Sequence, residues 1–283
     1  MPRFAYVNGR YLPHQEATTH IEDRGYQFAD GVYEVMVLVK GNLIDLDQHL
    51  DRLDYSLGQL RIPAPLSRLA LIHICREVIR LNRLHDAMVY IQVSRGIAPR
   101  LHCFNPGLRP VVVVTAYHVN QRQLMLSKAS GVRVITKPDS RWARPDIKSI
   151  SLLPNILGKQ EAAEKGCYEA ILYQADGTVT ECNATNVWIV RADGALQTHP
   201  LAQCILGGIT RHRIINLAQA NHIAVEEKAF SLVELKAAKE VFLSASVSGI
   251  TPVIQIDETV INSGLPGEIS LKLMNLYMDY TGG

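Results

Sequence analysis

The stretch Val32-Tyr-Glu-Val-Met-Val-Leu-Val-Lys-Gly-Asn-Leu-Ile-Asp45 predicts two strands joined across a Gly-Asn turn. Directly after it, leucines recur at three- and four-residue spacing from Leu46 to Leu60, which predicts an amphipathic helix that ends before Pro63. His49 and Arg52 share a neighbouring face of this helix. A hairpin that leads straight into a helix is typical of an α+β fold.

The same pattern extends over the rest of the chain. Hairpin signals recur at Asn8-Gly9, Asp176-Gly177 and Asp193-Gly194, and helices are predicted over 67–82, from Pro154 onward, over 210–219 and over 268–280. The polar segment Asn120-Gln-Arg-Gln123 is the best candidate for a boundary. We therefore expect two α+β domains, residues 1–120 and 121–283, which is also the division that the length favours. A crevice shared by two domains is a natural ligand site.

Composition excludes several classes of protein. The 283 residues include 29 Lys plus Arg and 27 Asp plus Glu, and a formal charge of +2 gives no field that would gather nucleic acid. Five cysteines without a Cys-x-x-Cys pair predict reduced thiols and a cytoplasmic location. The first residues lack an apolar signal and no run could span a bilayer, so we expect neither secretion nor membrane insertion. The ten histidines lack metal-ligand spacing, so no metal is predicted.

Two titratable side chains stand in distinctive local sequence. Lys148 lies among apolar residues in Asp146-Ile-Lys-Ser-Ile-Ser-Leu-Leu153, a setting that suits a Schiff-base nucleophile, although a lysine beside leucines commonly extends its amine to water. Glu181 interrupts the strand-like run Thr178-Val-Thr-Glu-Cys-Asn-Ala-Thr-Asn186 without a basic neighbour in sequence. Its carboxylate can face a cationic ligand atom or solvent.

Three further segments suit anions. Glycines in Leu206-Gly-Gly-Ile-Thr-Arg211 precede a predicted helix, where backbone N–H groups and the Thr210 hydroxyl can bind phosphate, or they form an ordinary junction. Ser246 follows a strand and offers a further hydroxyl, or belongs to a simple turn. Arg100 and His102, one residue apart in a Pro/Gly loop, can hold a carboxylate, or are merely solvated.

Taken together, these segments resemble the fold-type IV (class IV) pyridoxal-phosphate aminotransferases, and among them the D-amino acid aminotransferases most closely. The resemblance covers nearly the whole chain, and the ordered set is far more specific than any one motif. It rests on Tyr6-Val-Asn-Gly9, Asp30-Gly-Val-Tyr-Glu34, His49-Leu-Asp-Arg-Leu53, Arg95-Gly-Ile-Ala-Pro-Arg-Leu-His102, Asp146-Ile-Lys-Ser149, Thr180-Glu181 with Asn186, Gly208-Ile-Thr-Arg211 and Ile250-Thr-Pro-Val253.

The resemblance implies a two-domain α+β fold with pyridoxal 5'-phosphate (PLP) at the domain interface. It implies that Lys148 forms the Schiff base with PLP and carries the proton, and that Glu181 pairs with the pyridine nitrogen. The other cofactor-binding residues implied by the resemblance are Arg52, Ile209, Thr210 and Ser246 at the phosphate and Leu206 behind the ring. Relatives often carry small serines where this chain has Cys182-Asn-Ala-Thr185.

The implied reaction is ping-pong transamination between a D-amino acid, such as D-alanine, and a 2-oxo acid, such as 2-oxoglutarate. The substrate carboxylate would be anchored by Tyr33, Arg100 and His102, and the resemblance implies a homodimer in which the Arg/His loop lies near the partner subunit. The main alternative is a branched-chain L-amino acid aminotransferase of the same fold. An aminodeoxychorismate lyase is a weaker alternative because a lyase does not need this carboxylate anchor, and a non-enzymatic binding module is the remaining one.

Overall fold

A computed structural model of the chain describes residues 3–282, which divide into two compact units. Unit 1 comprises the chain up to Asn120 together with Ile147–Ser151, and unit 2 comprises Gln121–Asp146 and the chain from Leu152 onward. Both units combine helices with a sheet, so the predicted α+β class is confirmed. None of the helices within residues 3–282 is long and apolar enough to cross a bilayer.

Unit 1 is built on a six-stranded sheet whose neighbouring strands are all antiparallel. Its elements are β1 (Phe4–Val7), β2 (Arg10–Pro13), α1 (Arg24–Phe28), β3 (Gly31–Val39), β4 (Asn42–Leu43), α2 (Leu46–Gln59), α3 (Arg68–Asn82), β5 (Ala87–Ser94) and β6 (Val111–His118), with a 3-10 turn at His14–Glu16. The strand order is β2-β1-β6-β5-β3-β4. The predicted hairpins and both long helices are confirmed here.

One face of this sheet forms the core of unit 1. Alternate side chains of β3, β5 and β6 are fully or almost fully buried against the apolar stripes of α2 and α3. Because successive side chains of a strand point to opposite faces, Val32, Glu34 and Met36 share the core face of β3, while Tyr33 lies on the other face. Glu34 is thus a carboxylate on a core face, and its partners are described below.

The segment Ile147–Ser151 belongs to unit 1, although the sequence analysis assigned residues 121–283 to the second domain. The reason is backbone pairing with the start of β3: the N–H of Tyr33 donates to the carbonyl of Lys148, and the N–H of Ile150 donates to that of Gly31. An isolated bridge also joins Val32 to Ser149. The segment extends the sheet locally, which sequence order along the chain does not reveal.

Unit 2 is built on a nine-stranded mixed sheet with the path β12-β11-β10-β13-β14-β7-β8-β9, and β15 pairs with β14. Its elements are α4 (Gln121–Leu126), β7 (Val132–Pro138), α5 (Leu153–Glu164), β8 (Glu169–Tyr173), β9 (Val179–Cys182), β10 (Asn186–Val190), β11 (Leu196–Thr198), α6 (Ile209–Ala220), β12 (Val225–Glu227), α7 (Leu232–Ala237), β13 (Glu240–Ala245), β14 (Gly249–Ile256), β15 (Thr259–Val260) and α8 (Glu268–Thr281), with a 3-10 turn at Asn262–Gly264. Helices α6 and α8 supply one core, together with Trp188 and Phe242, whose rings stack at 5.6 Å.

The polar segment proposed as a boundary contains the division between the two units, which falls after Asn120. Helix α4 begins there at Gln121 and belongs to unit 2. Two of its side chains are buried: Met125 enters the unit 2 core, and Gln121 donates from its side-chain amide to the carbonyl of Ser246. This hydrogen bond offsets part of the cost of burying the Gln121 amide.

Candidate active site

Lys148 is positioned by backbone bonds on both sides of its Cα. Its own N–H donates to Ser56 Oγ at 3.2 Å, and its carbonyl accepts from Tyr33. The neighbours Ile147 and Ser149 are buried, and strand-like alternation turns the Lys148 side chain away from them. The lysine is therefore held by a fixed backbone, while the residue as a whole is half-buried and its side chain points to the opposite face.

The amine of Lys148 lies 4.4 Å from the centroid of the Tyr33 ring. Tyr33 in turn packs at 5.7 Å against Tyr90, whose hydroxyl donates to Gln92 Oε1. Among the described residues no carboxylate forms an ion pair with Lys148. Two of the predicted site residues, catalytic Lys148 and the carboxylate-anchoring Tyr33, thus lie together, and residues 3–282 give the amine no anionic partner.

Arg52 makes a two-pronged ion pair with Glu34. Its Nε donates to Oε1 at 2.7 Å and its Nη2 to Oε2 at 2.9 Å. Burial acts to raise the pKa of Glu34, but the charge and bonds of Arg52, with the bond from His49, lower it to about 2. Since Glu34 is ionised, His49 Nδ1 donates to its Oε2 at 2.7 Å, and burial lowers the pKa of His49 so that the ring is neutral.

The family resemblance implies that Arg52 binds the cofactor phosphate, but it does not predict that Glu34 is the ion-pair partner of Arg52. Two of its five N–H donors serve Glu34, so Glu34 fixes the plane and direction of the guanidinium. The available signal was the alternation of β3, which puts Glu34 on the core face between Val32 and Met36. A charge in such a position needs a buried partner.

Glu181 lies in β9 and is buried together with its neighbours, so the alternative of a solvated strand face is wrong. Its Oε1 accepts from the N–H of Leu206 at 3.1 Å, and its Oε2 accepts from Asn186 Nδ2 at 2.9 Å. Asn186 also donates to the carbonyl of Leu206. Glu181 is thereby tied to the segment that leads into α6, which carries the predicted phosphate residues.

Glu181 also accepts a bond from Arg141, which was missed from the sequence. Arg141 donates from Nε and Nη2 to the two oxygens of Asp139 and from Nη2 to the carbonyl of Cys204. Burial raises the pKa of Glu181, and Arg141 opposes this rise. One guanidinium is thus divided between two carboxylates. The Asp139-Ser-Arg141 spacing in a loop was the one sequence signal, and it carries no information about Glu181.

The N-terminus of α6 has the features that suit an anion. Gly208 precedes the helix in an extended conformation, and no side chain caps the first turn that Ile209 and Thr210 begin. A Cβ on Gly208 would lie 2.1 Å from Asn186 Oδ1, so only glycine fits there. The N–H groups of a first turn are unsatisfied within a helix and carry the positive end of its dipole. The Thr210 hydroxyl lies 3.4 Å from that of Tyr277.

Ser246 lies in the turn between β13 and β14 and is half-buried. The side chain of Gln121 holds its carbonyl, which fixes the backbone of the turn. The hydroxyl of Ser246 is engaged in no hydrogen bond among the described residues. The turn therefore presents a hydroxyl donor on a restrained backbone.

Arg100 and His102 form a separate group on unit 1. Both side chains are exposed, and both contact the ring of Phe28: the Arg100 Cζ lies 5.0 Å from its centroid and the His102 ring 5.7 Å from it. Within residues 3–282, no hydrogen bond, ion pair or ring contact joins them to Tyr33 or Lys148. The structure thus brings Arg100 and His102 together but does not join them to Tyr33 within one chain.

The residues present fit PLP on the chemistry of their donors. In unit 1, Lys148 offers an amine that pairs with no carboxylate of residues 3–282. In unit 2, the uncapped start of α6 suits a phosphate, and Glu181 Oε2, which accepts from Asn186, retains a lone pair for a protonated ring nitrogen. Within the described residues, no cluster of three or more His, Cys, Asp or Glu side chains is arranged for a metal ion.

Comparison with known proteins agrees with this geometry. The family model described as Amino-transferase class IV matches residues 31–256. The chain is 41% identical over 263 residues to a D-alanine aminotransferase of Bacillus licheniformis, which covers 93% of this chain and 92% of that protein. Among solved structures it is similar to the branched-chain amino acid aminotransferase of Escherichia coli, with a TM-score of 0.90, 25% identity, and coverage of 100% and 94% of the two chains. The PLP form of the Thermobaculum terrenum branched-chain enzyme matches with a TM-score of 0.84, 25% identity, and coverage of 99% and 94%.

Proposed function

Because the chain belongs to the class IV aminotransferases, we propose that it transfers amino groups between D-amino acids, such as D-alanine, and 2-oxo acids, such as 2-oxoglutarate. Its cofactor is PLP, and its substrates are amino acids and 2-oxo acids. The observation that carries the D-specific assignment is 41% identity to a D-alanine aminotransferase over more than nine-tenths of both chains. The two substrates would bind alternately in a ping-pong cycle.

PLP supplies an aldehyde that condenses with amines and a ring that delocalises the negative charge left on a deprotonated carbon. Lys148 is the residue we assign to its aldehyde and to proton transfer at the substrate Cα. Lys148 has no ion-pair partner within the described part of the chain, and this supports the assignment, because Nζ is then available to give and to take a proton. Tyr33 limits the directions in which the Lys148 side chain can point.

Glu181 is the residue we assign to the ring nitrogen of PLP. Its carboxylate is buried, oriented by Asn186 and Leu206, and only partly neutralised by Arg141, so it favours a proton on an adjacent nitrogen. For the phosphate we assign the first turn of α6, Ser246 and Arg52. We assign Leu206 to the PLP ring, because its backbone N–H binds Glu181, the residue assigned to the ring nitrogen.

The carboxylate of the substrate is assigned to Tyr33, Arg100 and His102. A guanidinium and an imidazole, held one residue apart, can fix a carboxylate in one orientation. Once the carboxylate and the amino group are fixed, the third substituent and the Cα proton have no freedom left, so the anchor decides which enantiomer presents its proton to Lys148. This is why we assign D-selectivity to the Arg100/His102 pair.

A branched-chain L-amino acid aminotransferase is the second candidate function. It is favoured by the TM-score of 0.90 to the Escherichia coli enzyme of that name. The fold is common to both candidates, and the identity to that enzyme is 25% against 41% for the D-alanine aminotransferase. The D-specific reaction is therefore the better supported of the two.

The deciding experiment offers the PLP-loaded enzyme 2-oxoglutarate together with either D-alanine or L-leucine and measures glutamate formed. We expect turnover with D-alanine. Turnover with L-leucine alone would replace the proposal by its alternative, and the absence of both reactions would overturn transamination of these substrates. The absorbance of the bound cofactor and borohydride labelling of Lys148 report separately on cofactor attachment.

We also propose a homodimer, in which the exposed Arg100 and His102 of one subunit serve the site of its partner. Helix α5 supports association because it exposes Leu153, Ile156 and Leu157 on one face at i, i+3 and i+4 spacing. Light scattering measures the mass in solution. A monomer that remains fully active would contradict this proposal.

A cytoplasmic location is proposed from the thiols. All five cysteines are free, and Cys103 is exposed, which suits a reducing compartment. Recovery of the protein outside the cytoplasm on cell fractionation would contradict this assignment.

A further inference from the structure

The loop that carries Arg100 and His102 is held by hydrogen bonds from a buried arginine. Arg24, in α1, donates from Nη1 to the carbonyl of Leu101 at 2.6 Å and from Nη2 to that of His102 at 3.3 Å. Its Nε donates to Asp30 Oδ2 at 2.8 Å. We call Arg100–His102 the carboxylate loop. Although the side chains of this loop are exposed, two of its carbonyls are bound to a side chain that is 5% exposed.

Asp30 anchors this arginine to the rest of unit 1. The same Oδ2 accepts from Arg95 Nε at 2.8 Å, and Arg95 also donates to the carbonyls of Leu60 and Arg61. Burial acts to raise the pKa of Asp30, but the bonds from Arg95 and Arg24 hold it below its usual value. The carboxylate therefore stays charged, and the chain of bonds from α2 to the carboxylate loop is intact at neutral pH.

Phe28, at the end of α1, adds a contact to the side chains of the loop. Its ring centroid lies 4.8 Å from the Arg24 Cζ, 5.0 Å from the Arg100 Cζ and 5.7 Å from the His102 ring. A guanidinium that rests on an aromatic face uses its own face, and the N–H donors lie in its plane. The edge of Arg100 that would bind a carboxylate in two-pronged fashion thus remains available while its orientation is restricted.

We propose that Phe28 and Arg24 are positioning residues for the substrate carboxylate, acting through Arg100 and His102. This inference rests on the proposed function, because it assumes that the carboxylate loop binds substrate. An exposed arginine populates many rotamers, and ordering it on binding costs free energy. Phe28 removes part of that cost in advance, and Arg24 fixes the backbone from which both side chains start.

The consequence is selective for the carboxylate. Both substrates of a transaminase carry one, so loss of the ring weakens both in the same proportion. An amine without a carboxylate does not use the loop and is unaffected. Isopropylamine is the matched probe, because it is alanine with the carboxylate replaced by a methyl group.

The test compares the holoenzyme with its Phe28→Leu variant. We expect the KM values for D-alanine and for 2-oxoglutarate each to rise about tenfold, with kcat changed by no more than about twofold, because loss of ground-state binding appears in KM. The single-turnover rate with isopropylamine, followed by cofactor absorbance, is expected to stay unchanged. Phe28→Tyr keeps the ring and restores both KM values.

Tyr280→Leu is the matched control. The Tyr280 ring centroid lies 4.0 Å from the Arg213 Cζ in unit 2, so the substitution removes the same kind of contact outside the bonds that hold the carboxylate loop. The KM values of this variant are expected to remain near those of the wild type. Equal KM effects of Tyr280→Leu and Phe28→Leu, unchanged KM values in Phe28→Leu, or an equal loss with isopropylamine would each overturn the inference.

The inference and the proposed function fail differently. If the wild type turns over L-leucine only, the proposed function falls, and the same KM comparison with L-leucine tests the positioning role. If it turns over neither, the Kd of 2-oxoglutarate measured by calorimetry replaces KM. Should Phe28→Leu not fold, Arg24→Lys keeps the charge, removes the forked bonds and is expected to raise the same two KM values.

Discussion

Glu34 in unit 1 and Glu181 in unit 2 are both buried carboxylates bound by an arginine, yet their pKa values shift in opposite directions. Burial acts to raise both. In Glu34 the pKa nonetheless falls to about 2, because Arg52 binds both oxygens and His49 adds a third bond. In Glu181 the rise remains, because Arg141 also serves Asp139.

The difference shows how the same residue types serve structure in one place and chemistry in another. A carboxylate whose two oxygens are both bound by one guanidinium is a closed pair, and Glu34 orients Arg52. A carboxylate with a shared guanidinium retains negative potential, and Glu181 suits a cationic atom of a ligand. In unit 1, Lys148 corresponds to Glu181 in this respect, since its amine has no ion-pair partner among the described residues. We assign the catalytic and cofactor-binding roles to the groups whose charge is not fully neutralised by a neighbouring residue.

The largest effect is expected from removing the uncompensated amine. Lys148→Ala abolishes the group assigned to proton transfer, and we expect kcat for transamination to fall about 10⁴-fold, the upper end of what a positioned acid–base group contributes. Steady-state kinetics with saturating substrates measures the loss. Lys128→Ala is the control. The Lys128 amine lies 5.0 Å from the centroid of the Tyr168 ring, so this substitution removes a comparable lysine–tyrosine contact elsewhere. Similar kcat values in both variants would contradict the assignment.

How far the sequence predicts this comparison depends on the range of the interactions. The α+β class, the hairpins and the long helices follow from local periodicity and turn residues, and Lys148 stood out from its local setting. Glu34 was predictable in principle from the alternation of β3. Arg141 was not, because its bond to Glu181 joins residues 40 apart in sequence whose pairing depends on the tertiary fold.

One further difference has the same origin. The sequence assigns Lys148 to the second half of the chain, whereas its backbone pairs with Tyr33 across more than a hundred residues. The burial of Gln121 at the start of α4 likewise depends on a distant partner, the carbonyl of Ser246. Polarity along the chain predicts exposure, and at Gln121 a distant hydrogen-bond partner reverses it.

The closed pair can be broken by Glu34→Gln. At pH 7 we expect the free energy of unfolding to fall by about 3 kcal/mol, since Arg52 is left without its carboxylate. A folded-state pKa lowered from 4.5 to about 2 contributes stability that is complete above pH 4.5 and is lost as the pH falls through 2. The gap between variant and wild type therefore narrows as the pH falls below 4.5, as urea titrations at several pH values would show.

A control for this stability measurement is Glu77→Gln in α3. Glu77 also pairs with an arginine, but this partner, Arg80, is exposed and Glu77 is partly exposed, so solvent screens the charges. We expect no measurable change in unfolding from this substitution. A gap for Glu34→Gln that stays constant down to pH 2, or an equal effect at Glu77, would mean that Glu34 does not form the closed pair described above.

A smaller but more specific effect is expected at the open pair. Glu181→Gln keeps the volume and the bond from Leu206 but removes the charge, so the variant no longer favours a proton on the adjacent ring nitrogen. We expect kcat to fall about 10²-fold, which is the typical loss when one electrostatic contact to a reacting group is removed.

Because Arg141 retains Asp139, the fold should lose less stability in Glu181→Gln than in Glu34→Gln. Stopped-flow absorbance of the first half-reaction measures the rate, and urea unfolding measures the stability. If instead Glu181→Gln proved strongly destabilising while kcat stayed near the wild-type value, Glu181 would be a structural carboxylate like Glu34, and the contrast between the two units would disappear.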